Sequence, residues 1–132
     1  MIFLSSNNLI EFDIDPIGKV RMVRSDAYKK RPIVTKYWSV KEVVKMIANK
    51  NKFTLPETFW LFSIKKMPDS WSAKKRLCMV NTPCKVKPDA DNSLGSIMDF
   101  LCPKDQVIWD VRCTKIWGLK GKIIIKELDP CF

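Results

Sequence analysis

Asp89 and Asp91, in the stretch KVKPDADN (85–92), are two carboxylates one residue apart in a chain with 24 Lys and Arg against 14 Asp and Glu. Like charges this close repel each other, so either a proton or cation relieves them or they serve a turn. In an extended segment residues i and i+2 point to the same side, and Pro88 biases Lys87 toward such a conformation. The spacing then presents two hard oxygen donors together, suited to a divalent ion such as Mg²⁺ or Mn²⁺. A competing reading is that Asp91 caps the helix that follows and Asp89 is simply solvated. Asp105 adds a third acid. It stands between a predicted helix and the next strand, and a return of that length is expected to bring it back beside Asp89 and Asp91. Three carboxylates at the edge of a basic surface suit phosphodiester hydrolysis. A metal there activates a water and offsets charge on the phosphate, while Lys and Arg hold the backbone.

Other chemistries are excluded. The chain holds no histidine, which removes Ser–His and Cys–His nucleophilic catalysis and His-ligated zinc. Its five cysteines (Cys78, Cys84, Cys102, Cys113, Cys131) show no C-x-x-C spacing and read as reduced, mostly buried thiols. The net charge of +10 favours polyanionic partners. With 132 residues, 46% of them apolar and including five Trp and seven Phe, the chain suits a single folded domain spanning 1–132. No apolar run approaches the roughly 20 residues of a membrane span, and the opening MIFL lacks the length and basic start of a signal peptide. No membrane partner and a cytoplasmic location are expected.

The elements that must position the acids follow from periodicity. Residues 9–14 alternate as a strand that Pro16 and Gly18 break. The basic segment 19–36 reads as irregular. Ser39 to Glu42 reads as a capping-box signature, and Val43, Val44 and Ile47 are expected to continue it as an amphipathic helix to about Asn49, with Lys41, Lys45 and Lys50 outward. The apolar run 58–64 (TFWLFSI) predicts a central strand. A loop and short basic helix over 67–80 precede a second helix over 92–101, capped by Asp91 or Asn92. Strands at 106–117 and 122–128 are expected to pair through a GLKG hairpin turn. Trp38 and Trp71 are expected to pack rather than to wedge into a ligand. The fold class is α+β: one domain, with a mixed β-sheet and helices packed on one face.

The motifs MPDSWSAKKRLCMV, KPDADN and DQVIWDVRCTKIWGLKGKIII, in that order, resemble the RusA family of Holliday-junction resolvases, especially its phage and prophage branch. The upstream segment GKVRMVRSDAYKKRP fits the same branch, so the likeness covers about residues 16–126. It implies a homodimeric, Mg²⁺-dependent endodeoxyribonuclease, with Mn²⁺ as the alternative ion. Such an enzyme binds four-way junctions and other branched DNA and nicks two strands symmetrically. Recombination, repair or phage DNA processing, in a bacterial cell or phage-infected host, would be its setting. The resemblance assigns Asp89, Asp91 and Asp105 as catalytic metal ligands. It gives a DNA-binding role to Lys74, Lys75 and Arg76 and to Arg21, Arg24, Lys29, Lys30 and Arg31, with Lys85 and Lys87 beside the acids. For any one of these a solvated charged face is the bland reading.

One departure matters. The family commonly has a lysine one helical turn after the second aspartate, where this chain has Gly95. The resemblance gives that lysine the task of holding the scissile phosphate or stabilising transition-state charge. Lys85, Lys87 and Lys104 are the nearby substitutes in the sequence. The alternative is a junction-binding protein with weakened catalysis. A basic RNA-binding module has only charge and aromatic content in its favour.

Overall fold

A computed structural model describes residues 9–21, 23–24 and 31–128, with Asp105 described by its backbone only. Lys29 and Lys30 lie outside the described residues. In chain order the elements are β1 (Leu9–Phe12), α1 (Pro32–Lys50), β2 (Thr58–Lys66), α2 (Ala73–Met79), α3 (Ala90–Leu101), a short 3-10 turn (Asp105–Val107), β3 (Asp110–Gly118) and β4 (Lys122–Glu127). The four strands form one sheet in the order β1-β4-β2-β3, parallel between β2 and β3 and antiparallel elsewhere. Together with its helices this is the expected mixed α+β architecture.

The run 58–64 takes the central place because alternate residues satisfy two environments. Phe59, Leu61 and Ser63 are buried, and Phe59 and Leu61 pack with Ile123 and Ile125 of β4, Tyr37, Val44 and Ala48 of α1, and Ile97 and Phe100 of α3. Trp60 and Phe62 point to the other face and stack on each other at 4.6 Å. Fully burying an aliphatic or aromatic side chain of this kind stabilises by about 1.5–3 kcal/mol, so this face fixes the register. A smaller cluster of Met67, Cys84 and Trp117, with Trp71 against it, seats the loops flanking α2.

Several expectations are corrected. β3 and β4 are not a hairpin, since β2 lies between them. Gly118 pairs with Lys66 and Lys122 with Ile64, so residues 119–121 arch over the end of β2. Strands two places apart are roughly 10 Å apart, which the four Cα steps from 118 to 122, reaching about 14 Å, can span. Alternation alone cannot tell such an arch from a turn.

Helix α1 starts at Pro32, seven residues before the Ser39 box. Proline is tolerated at the first helical position because its missing N–H would be unpaired there anyway. Val34, Tyr37, Val44 and Ala48 supply the buried stripe. Val43 is instead exposed, and Ser39, now inside the helix, donates to Thr35 O at 3.0 Å. Of the four described cysteines, all free, only Cys84 is buried and Cys78 is exposed. Trp38 is 47% exposed, with Lys41 Nζ 4.7 Å from its ring centroid. Trp71 does pack, edge-on against Trp117 at 5.0 Å. No helix among the described residues is long and apolar enough to cross a membrane.

Candidate active site

The two aspartates do not share a face through an extended segment. Asp89 is the N-cap of α3, with extended φ and ψ, and Asp91 already lies in the first turn. The expectation failed because Ala90 starts the helix two residues earlier than its apolar periodicity announces. Asp89, not Asp91 or Asn92, occupies the capping position, yet its carboxylate makes no capping hydrogen bond. Both aspartates are exposed, and neither takes part in an ion pair among the described residues. Their negative charge is favoured by the positive end of the helix dipole.

The loop that carries Asp89 is tied to the sheet by two lysines. Lys65 Nζ donates to Lys87 O and Lys115 Nζ to Val86 O, each at 2.6 Å. Further back, Cys84 N–H donates to Lys115 O and Asn81 N–H to Trp117 O, so residues 81–88 run along the C-terminal half of β3. The Lys87–Pro88 peptide is cis. Sequence reasoning missed Lys65 and Lys115, because strand positions in a basic chain carry no signal of the loop they will reach.

A second anchor comes from the other side. Ser96 Oγ donates to Ile17 O at 2.7 Å, and Lys19 N–H donates to Asn92 O at 3.0 Å. Between them Gly18 lies so close to the helix that a Cβ there would stand 3.1 Å from Pro88 Cβ and 3.3 Å from Asn92 Cβ. Residues 17–19 thus form a strap across the start of α3. Lys19, also missed by the sequence reading, is exposed on this strap. Nothing in its spacing links it to a helix more than seventy positions later.

Asp105 is not returned to its partners within one chain. Its backbone lies in the 3-10 turn beyond the C-terminal end of α3, and soon afterwards Trp109 N–H donates to Glu57 O just before β2. Asp89 sits at the opposite end of α3, beside Lys65 near the close of β2. A helix of twelve residues separates the two ends, about 18 Å of rise. Among the described residues, no three acids or thiols gather in a metal-binding group. Lys104 lies at the Asp105 end, whereas Lys85 and Lys87 are exposed in the loop before Asp89.

The basic residues divide by task. On α2, Lys74 is exposed, Lys75 lies 4.2 Å above the Trp71 ring, and Arg76 donates to Pro68 O at 3.2 Å and faces Asp69 at 3.6 Å. Arg76 therefore braces the preceding loop. Arg31 Nη2 donates to Arg21 O at 3.2 Å, which ties the strap's continuation to the head of α1, and Arg24 is exposed.

At the C-terminal end of α3 a different carboxylate is committed. Tyr37 Oη donates to Asp99 Oδ2 at 2.8 Å, and its ring packs on Phe100 at 4.9 Å. Burial, then the hydrogen bond and charge of Asp99, push the Tyr37 phenol well above its ordinary range. Burial also pushes the Cys113 thiol up, with Lys115 opposing, so it stays protonated at neutral pH.

A groove of about 740 Å³ is lined by residues including Glu11, Asp13, Asp15, Lys36, Lys66 and Lys122, and not by Asp89 or Asp91. A DNA backbone requires an accessible surface rather than a deep pocket, so the two uncommitted aspartates among basic residues remain the candidate site. No curated protein matches the chain. The family model described as Endodeoxyribonuclease RusA matches residues 13–126. That match covers most of the sequence, and the chain belongs to the RusA family of endodeoxyribonucleases.

Proposed function

We propose that the protein is a metal-dependent endodeoxyribonuclease that binds four-way DNA junctions and resolves them by paired, symmetric nicks. The observation that carries this reading is the pair of exposed carboxylates at the start of α3, free of capping and ion pairing among the described residues in a chain of net charge +10. Membership of the RusA family supplies the class of reaction.

The donor set fits a hard cation, since Mg²⁺ is commonly held by one or two carboxylates together with water and substrate phosphate. Asp89 and Asp91 would be its ligands. When bound, such an ion supplies Lewis-acid stabilisation and a more acidic water. The chain's own groups do the rest. Lys65 and Lys115 fix the loop bearing Asp89, and the free N–H groups of the first turn of α3 favour an incoming phosphate. Lys85, Lys87 and Lys74 offer exposed charge to the flanking backbone, as do Arg21 and Arg24. Asp105, at the far end of α3 in its own chain, reaches such a site only from a second copy. A homodimer is therefore the active unit, and its two-fold symmetry suits two symmetric nicks. Recombination, repair or phage DNA processing in the cytoplasm is the proposed setting.

The test is incubation of a labelled four-way junction and a linear duplex of the same sequence with protein and Mg²⁺, with and without chelator. Paired nicks confined to the junction and abolished by chelator are expected. Equal cutting of the linear duplex, or cutting that survives chelation, would refute the reading. A second reading rests on Gly95, which removes a side chain from the face of α3 that carries Asp91. Under it the protein shifts the junction on a native gel without cutting it.

A further inference from the structure

Asp91 and Gly95 are one helical turn apart, so they share a face of α3. Position 95 is nevertheless not bare. A Cβ built on Gly95 would meet Lys19 Cδ at 3.4 Å and Lys19 Cβ at 3.5 Å. The aliphatic stem of Lys19, carried by the 17–19 strap, therefore lies directly beside the surface from which a side chain on residue 95 would project. The strap is held at both ends by hydrogen bonds to α3, from Ser96 to Ile17 and from Lys19 to Asn92. Gly18 fits closely against Pro88 and Asn92. The backbone of Lys19 is thus positioned by the same turn that bears the acids.

The ammonium group lies two bonds beyond Cδ. Lys19 is exposed, and no carboxylate among the described residues forms an ion pair with it. A lysine whose stem is packed but whose charge is uncommitted is suited to an anion arriving from outside. The neighbouring face of Asp91 is where the proposed reaction would place a phosphate.

We propose that Lys19 supplies the phosphate-contacting cation of this site, acting from the strap where Gly95 leaves α3 without a side chain. The inference rests on the endonuclease reading and adds to it a catalytic residue. Geometry selects Lys19 over Lys104, which lies at the other end of the helix. The contact also places the two positions side by side: a lysine on residue 95 would start in van der Waals contact with the Lys19 stem and could reach the same face.

The experiment is single-turnover cleavage of a labelled four-way junction in Mg²⁺ by wild type, Lys19→Met, Lys19→Arg and the double variant Lys19→Met/Gly95→Lys. Methionine keeps an apolar stem over Gly95, and thermal unfolding of each variant checks that the fold is intact. Lys19→Met is expected to lower the cleavage rate about 100-fold, with junction affinity falling less than about tenfold. Lys19→Arg should retain much of the rate, and the double variant should regain a large part of it from the helix side. Wild-type cleavage rates in Lys19→Met would overturn the assignment. So would a loss equally deep in Lys19→Arg and in the double variant, which would mark a purely structural strap. A junction left intact by the wild type would instead overturn the endonuclease reading, and this inference with it.

Discussion

The two ends of α3 make different use of the same side chain. At the C-terminal end Asp99 accepts a hydrogen bond from Tyr37 at 2.8 Å and ties α3 to α1. At the N-terminal end Asp89 and Asp91 hold nothing together among the described residues, although Asp89 occupies the position where a capping bond is usual. Structure is secured there by other means: lysines reaching loop carbonyls, and a strap bonded to Asn92 and Ser96. A carboxylate that the fold does not need is available for chemistry, whereas one that the fold uses is not. The contrast favours the N-terminal end of α3 as the proposed site more sharply than net charge does.

The contrast can be broken most forcefully at its functional end. Asp89→Asn combined with Asp91→Asn should reduce junction cleavage by at least about 100-fold. Junction binding should persist or tighten, because two negative charges leave a surface that meets phosphate. Gel-shift and cleavage assays on one preparation measure both. At the structural end, Tyr37→Phe removes the bond to Asp99 and should cost about 1 kcal/mol. Denaturant unfolding reads that loss, and cleavage should stay near the wild-type rate.

The same tyrosine predicts a pH dependence. Its phenol is raised above the ordinary value in the folded state, so between the unfolded and folded values the native chain holds the extra proton. Stability from this group is fully present below about pH 10 and is lost as pH climbs through the folded value. Unfolding profiles of wild type and Tyr37→Phe should therefore converge at high alkaline pH. The smallest effect is expected at Asp69, whose ion pairs with Lys66 and Arg76 span 3.4 and 3.6 Å at an exposed site. Asp69→Ala should change stability by no more than about 0.5 kcal/mol.

Much of this was legible in the sequence. The continuous apolar run 58–64 placed the central strand, because a strand paired on both sides must put apolar side chains on both faces. The ordered motifs from 67 to 126 carried the family. What escaped was non-local. The arch over β2 has the same local pattern as a hairpin, so GLKG could not reveal its topology. Pro32 could begin α1 because a first-turn N–H is dispensable, whereas Ser39 only resembled a cap. The i and i+2 argument for Asp89 and Asp91 assumed an extended chain where the helix had already begun. Lys19 was invisible because nothing in its spacing brings its stem against Gly95 of α3, more than seventy positions later.

The central claim is that the uncommitted end of α3 performs the chemistry. Asp91→Asn and Asp99→Asn, assayed side by side on a four-way junction with Mg²⁺, test it directly, because each alters one carboxylate of one helix by the same atoms. Cleavage should collapse in Asp91→Asn, with junction binding and thermal stability intact, while Asp99→Asn should cleave within about threefold of wild type. Full activity in Asp91→Asn, or a loss confined to Asp99→Asn, would contradict it.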